Sequence, residues 1–325
     1  KTMKKFVAIL LTLMLVLGIG AAVATEAEVT PTTDTDLTDH GTVTIKKVYK
    51  LVGAGTSPAE TFTLEQVGVG RVTDGDATSA PALGTITGAA FNEGAATADG
   101  TTIGNITVAL PEYTNVGVYE YTLQEVAGTT AGVAYYGKTI KLVVTVVNGT
   151  DGNIRVAAVH TESEDEVKSD KFENTYSAGT LTVKKTVTGN LGDKKKEFDF
   201  TVTFAAPEGK NWTPAIGASE GATMVEDNPM SYTFKLKHDA MATFGNLPAG
   251  VTYTVTETPV DGYTTNNIEQ KGTIVAGLNE VTFINEKSGT IDTGVTTENL
   301  PYVLLIGFVV LAGAALLIKR KAHNN

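Results

Sequence analysis

At 325 residues, 42% of them apolar, the chain is long enough for two ordinary hydrophobic cores, which excludes disorder throughout. Between Thr25 and Thr293, 19 Lys and Arg face 35 Asp and Glu, a net charge near −16, so no basic surface is offered to nucleic acid. Cysteine is absent, and stability has to come from something other than disulfides.

The chain opens on an apolar run, FVAILLTLMLVLGIGAA, behind Lys4 and Lys5 and ahead of Ala22-Val23-Ala24. A basic start, an apolar middle and a small-x-small end read as an export signal over residues 1–24. Residues 25–40 are rich in Thr and Asp, carry no apolar periodicity and read as a flexible leader. Asp34, Asp36 and Asp39 lack the glycine and closing glutamate of a calcium loop.

From Gly41 onward the texture is short Val, Ile, Thr, Tyr and Phe runs of alternating polarity, among them TVTIKKV, GVYEYTLQEV, KTIKLVVTVV, EFDFTVTF and GVTYTVTE. Gly, Asn, Asp and Pro clusters separate them, and helix signals are nearly absent away from the two ends. The fold class this implies is all-β, with tandem β-sandwiches. Three short segments recur in the same order: VTIKK and LTVKK, YTLQE and YTVTE, FENTY and FINEK. The repeat divides the chain at Ser177-Ala178-Gly179, giving one domain over 41–176 and a second over 177–287.

Strand parity places unusual residues on the apolar face. Lys47 shares parity with Val43 and Ile45, and Lys185 with Leu181, Val183 and Val187. Glu125 falls with Tyr121 and Leu123, and Glu257 with Tyr253 and Val255. Asn174 aligns with Phe172, and Asn285 with Val281 and Phe283. A buried, unpaired ammonium is costly, so a core that holds lysine twice needs a use for it.

An amide exchange uses this set: a neutral lysine amine attacks an asparagine side-chain carbonyl, ammonia leaves, and an isopeptide bond remains. Burial favours the free amine and a carboxyl that carries a proton to give. That carboxyl would polarise the asparagine carbonyl and pass the proton to the leaving nitrogen. Contact between amine and carbonyl supplies an effective molarity of roughly 10⁵ M or more. The competing reading puts these residues at strand ends where a bulge slips the parity, and a one-residue slip would make Lys46 and Lys184 the nucleophiles.

GVYEYTLQEVAG, KFENTY, GTLTVKKTVTGN, LPAGVTYTVTE and VTFINEK resemble the matching segments of the two-domain major, or backbone, pilins of Gram-positive bacteria. That resemblance implies immunoglobulin-like domains with self-generated crosslinks, Lys47 to Asn174 assisted by Glu125 and Lys185 to Asn285 assisted by Glu257. It is weakest from Gly68 to Gly104.

Residues 288–325 close the chain with Thr290-Ile291-Asp292-Thr293-Gly294, an apolar span over 302–318 and the basic Lys319-Arg320-Lys321. The order resembles a cell-wall sorting signal, cleaved by a sortase between Thr293 and Gly294, although Thr290-Ile291 stands where such motifs carry Leu-Pro. The resemblance places the accepting lysine of a neighbouring subunit just before the last strand of the first domain, at Lys168 or, as the alternative, Lys171. It implies a sortase, identical pilin subunits, peptidoglycan or an anchoring pilin, and a tip adhesin as partners, with the membrane engaged only before sorting. The expected location is the cell surface, in a wall-anchored pilus. A monomeric wall-anchored adhesin or stalk is the rival function.

No Ser/His/Asp order, HExxH or phosphate loop points to an enzyme acting on external substrates. His40, His160, His238 and His323 share no metal spacing, so neither metal nor cofactor is expected. Asn105 and Asn148 open Asn-x-Thr sites that read as turn residues.

Overall fold

The computed structural model describes residues 41–164 and 167–291, with Tyr302, residues 304–306, Phe308 and Val309 in a helix near the C-terminus. The expected export signal, leader and basic tail, most of the apolar span, and Asp292, Thr293 and Gly294 of the sorting motif lie outside the described residues. Among the described residues, no helix is long and apolar enough to cross a membrane.

From Gly41 to Ile291 the fold is all-β, two immunoglobulin-like sandwiches in tandem. A nine-stranded sheet runs through both. In the first sandwich its strands include the opening strand Thr42–Gly53, antiparallel Ile103–Ala109 and the first half of Lys171–Thr188, which runs parallel to the opening strand. The second, five-stranded layer contains Gly117–Glu125, Thr139–Asn148 and Ile154–Ser163. Between the layers lies one apolar core that includes Ile45, Tyr49, Tyr121, Leu123, Leu142 and Phe172.

The second sandwich repeats the plan. The later half of Lys171–Thr188 pairs with antiparallel Met241–Pro248 and with the parallel closing strand Gly277–Glu286. Another five-stranded layer, built around Phe198–Ala205 and Thr252–Glu257, closes a separate core around Val183, Phe200, Phe244, Val255 and Phe283. In FDFTVTFA every other residue is buried, the period that one covered sheet face imposes.

The repeat in the sequence divides the chain at Ser177-Ala178-Gly179, and the two cores change over there, but the strand runs on without a break. Lys171–Thr188 is a single 18-residue strand shared by both sandwiches. Its buried positions are even-numbered from Phe172 to Ala178 and odd-numbered from Gly179 to Val187. The ladder with Met241–Pro248 shifts register between Gly179 and Leu181, which matches that slip. Through it Asn174 and Lys185, of opposite parity on one strand, both point into cores.

The sandwiches touch closely at this junction. Gly53 ends the opening strand at φ +88°, and a Cβ there would lie 2.1 Å from the Ala178 carbonyl oxygen, so only glycine fits. Asn246 Oδ1, in the second sandwich, accepts from the Thr56 amide at 2.8 Å. The backbone of Thr130, in the first, bridges to Asn211 in the second.

Candidate functional site

Each core encloses a lysine, a glutamate and an asparagine, none more than 4% exposed. The scaffold places them the same way twice. In the first sandwich the opening strand lies beside the shared strand in parallel, with Asn174 opposite Tyr49, two residues beyond Lys47. In the second the shared strand lies beside the closing strand, with Asn285 opposite Val187, two residues beyond Lys185. Diagonal neighbours on one face of a sheet come within reach of a long side chain. The carboxylate comes from the facing layer: Glu125 ends Gly117–Glu125 and Glu257 ends Thr252–Glu257.

In the first triad Lys47 Nζ donates to Asn174 Oδ1 at 2.7 Å and to Glu125 Oε2. Asn174 Nδ2 in turn donates to Glu125 Oε1. In the second triad Lys185 Nζ donates to both Glu257 oxygens, at 2.9 and 3.0 Å, and Asn285 Nδ2 donates to Glu257 Oε1. Asn285 Oδ1 is buried and has no hydrogen-bond partner among the described residues.

Burial holds both lysine amines below the ordinary lysine range, against the opposing pull of Glu125 on Lys47 and Glu257 on Lys185. Aromatic rings do much of the drying. Lys47 Nζ sits 5.5 Å from the rings of Phe62 and Tyr136, and Lys185 Nζ lies 4.4 Å from Phe198 and 5.8 Å from Phe200. The sequence reading did not single out these rings. Phe198 and Phe200 were signalled by the alternation of EFDFTVTF, whereas Tyr136 lies in a connection with no period.

One expectation is corrected by the geometry. The sequence reading aimed the glutamate at the asparagine carbonyl oxygen, but in both triads the carboxylate accepts from Nδ2, the nitrogen that would leave. In the first triad the Asn174 oxygen accepts from Lys47 itself.

Lys46 and Lys184 turn outward, to Asp170 at 2.8 Å and Glu280 at 2.6 Å. Lys168 and Lys171 are both exposed, and the backbone of Lys168 bridges to Glu162 at the edge of the five-stranded layer. Thr290 and Ile291 are exposed. Among the described residues, no group of three or more His, Asp or Glu is arranged to hold a metal ion.

Residues 43–177 match the family described as Spy0128-like isopeptide containing domain, and residues 179–287 match a domain family of unknown function, DUF7601. A curated pilin of Streptococcus pyogenes serotype M1 is 31% identical over 176 residues, 46% of this chain and 51% of that protein. The match thus spans about half the length of that curated relative. The pilus tip adhesin Cpa of Streptococcus pyogenes is 33% identical over 125 residues, 36% of this chain and 18% of the adhesin. The crystal structure of the major pilin from Streptococcus pyogenes superposes with a TM-score of 0.55 at 22% identity, covering 78% of this chain and all of that one. Residues 43–177 are thus similar to the Spy0128-like isopeptide containing domains, and the tandem fold they open is similar to that of a streptococcal major pilin.

Proposed function

We propose that the protein is the structural backbone subunit of a covalently assembled surface pilus, and that each sandwich forms its own Lys-Asn crosslink. The reading rests above all on the two buried triads, each joining the first and last strand of a sandwich at the same diagonal offset. Lys47 Nζ attacks Asn174 Cγ, and Lys185 Nζ attacks Asn285 Cγ. Glu125 and Glu257 relay the proton given up by the amine to Nδ2, and one ammonia leaves for each amide formed. The glutamate ends unchanged, so the chain acts once on itself and turns over no external substrate.

A bond between first and last strands sends tension across the sandwich without peeling it. Closing a loop of about 100 residues is worth about 4 to 5 kcal/mol in the unfolded-chain entropy account, which offsets the missing disulfides. Between subunits, a sortase of the pilin class would form the thioester at Thr293, release Gly294 and pass the carboxyl to Lys168 of the next copy, with Lys171 as the alternative. The last subunit joined would reach peptidoglycan or an anchoring pilin, and a tip adhesin would occupy the other end. The two sandwiches then act as separate mechanical modules, 41–176 and 177–287, on one wall-anchored fibre.

The deciding experiment is the intact mass of residues 25–293 and of the Glu125→Ala and Glu257→Ala variants. The parent is expected two ammonias light, about 17 Da each, and each variant one. A parent of full, unmodified mass overturns the reading. For assembly, Lys168→Ala is expected to abolish high-mass ladders in wall extracts of the host. Ladders that persist move the junction to Lys171 or another lysine, and none in the unmodified strain favours the monomeric adhesin.

A further inference from the structure

Residues 126–138, which connect the strand ending at Glu125 to Thr139–Asn148, form a wall over the first triad. Within them Ala134 and Val133 pair with Thr175 and Tyr176, directly after Asn174 on the shared strand. The Tyr136 ring lies 5.5 Å from Lys47 Nζ and packs edge-on against Phe172 at 5.2 Å. Tyr135 packs edge-on against Phe62, the other ring beside that amine, at 5.9 Å. This connection thus supplies Tyr136, one of the two rings beside the Lys47 amine, and packs against the other.

The same connection is fastened to the other sandwich. The Ala131 amide donates to the Asn211 carbonyl at 2.9 Å, and the Asn211 amide donates to the Thr129 carbonyl at 2.7 Å. Asn211 Nδ2 adds a bond to Thr129 Oγ1 at 2.8 Å, and Lys210 Nζ stands 5.9 Å from the Tyr135 ring. Around the second triad, the hydrogen bonds just after Glu257 stay within the second sandwich: its amide donates to Ile268 and that of Thr258 to Asp199. Among the described residues, the connection beside the first triad is thus bonded to the neighbouring sandwich, whereas the residues at the corresponding place beside the second are bonded within their own.

We propose that Lys210 and Asn211 are positioning residues for the first crosslink: by clamping residues 126–138 they hold the wall over Lys47 shut, so that docking of the second sandwich sets the rate at which the first bond forms. The inference rests on the crosslinking reading above. In the step it controls, a bond forms between Lys47 Nζ and Asn174 Cγ and the Cγ–Nδ2 bond breaks. The amine proton reaches Nδ2 through Glu125, ammonia departs, and no outside reactant is consumed. If the wall loosens, water reaches Nζ and favours the ammonium; wherever the lysine pKa lies above the working pH, each unit it recovers lowers the reactive amine about tenfold.

The test follows both bonds in the full chain, made by cell-free synthesis, chased, quenched in acid and digested, with the Lys47–Asn174 and Lys185–Asn285 peptides quantified by mass. Two perturbations approach the clamp from opposite sides: Lys210→Ala with Asn211→Ala in the second sandwich, and Thr129→Val in the connection. Lys210→Arg, which keeps a cation over Tyr135, serves as the conservative control. Expected is a half-time for the first bond about tenfold longer in the double variant and lengthened in Thr129→Val, recovering as pH is raised, with the second bond unchanged. An unchanged first half-time in both overturns the inference, and so does equal slowing of both bonds, which marks a general folding defect. A parent that loses no ammonia fails the crosslinking reading itself and takes this inference with it.

Discussion

The two triads share a register and differ in their surroundings. In the first, Lys47 already touches the carbonyl oxygen of the amide it would attack. In the second, Lys185 is gripped by both oxygens of Glu257, while Asn285 Oδ1 has no partner. The common part is the diagonal offset between parallel first and last strands, which brings amine and amide together in any sandwich that closes this way. What differs is how each amine is dried: Phe62 of its own core together with a connection pinned by the neighbouring sandwich for Lys47, and Phe198 and Phe200 of its own core for Lys185. Proximity comes from topology and reactivity from local packing, so the two are separable by mutation.

The largest expected effect is on stability. Replacing both Glu125 and Glu257 by alanine should leave open the two loops that the proposed crosslinks close, with each lost closure worth about 4 to 5 kcal/mol. Thermal unfolding of the two single variants and the double variant measures it. If the double variant melts with the parent, the crosslinks carry no stability and the comparison between triads loses its consequence.

Next in size is a pH effect confined to uncrosslinked protein. In Glu125→Ala the amine of Lys47 stays free and buried, with a pKa held below its ordinary 10.5 by burial, and the carboxylate that opposed this is gone. In the window between that lowered value and 10.5 the unfolded chain binds more protons than the folded one, so stability rises with pH there and is flat below it. Lys47→Met also lacks the bond but buries no amine, and its stability should not follow that rise. Parallel pH profiles for the two variants would show that Lys47 is not held neutral.

A smaller, kinetic difference follows from the orphaned oxygen. With no donor on Asn285 Oδ1 among the described residues, the negative charge that would develop there during the proposed attack is unsupported until the amide or the lysine moves. The Lys185–Asn285 bond should therefore form severalfold more slowly than Lys47–Asn174 in the unmodified chain. Simultaneous appearance of both crosslinked peptides after synthesis would mean that the second triad rearranges faster than it reacts.

Much of the site was legible because two regularities reinforced each other. A period of two put Lys, Glu and Asn on apolar faces, and the repeat put them there in the same order twice. The repeat puts Asn174 and Lys185 on separate strands and so conceals that one strand carries both. Only the slip at Ala178 and Gly179 turns residues of opposite parity inward, and a bulge leaves no periodic signal of its own. Likewise VAGTTAGVAYYGK has no alternation to reveal that Tyr136 closes over Lys47, because its place is set by contacts with Phe172 and the second sandwich. Gly179→Ala probes the slip. Its Cβ would lie 2.3 Å from the Val275 carbonyl oxygen, and relieving that overlap should cost about 1–3 kcal/mol while both crosslinks still form.

The smallest effect is expected one residue away from the largest. Lys46 faces outward, in a 2.8 Å pair with Asp170 in which both side chains are nearly half exposed. An exposed pair of this kind is screened and entropically costly to hold, so Lys46→Ala should change stability by no more than about 0.5 kcal/mol and leave the mass two ammonias short. Lys47→Ala should remove one ammonia loss and the closure that goes with it. A single step along the opening strand thus separates a solvated side chain from half of the proposed crosslink. If Lys46→Ala instead blocked the first crosslink, the nucleophile would sit on the other face, and the shared diagonal register of the two triads would have no chemical meaning.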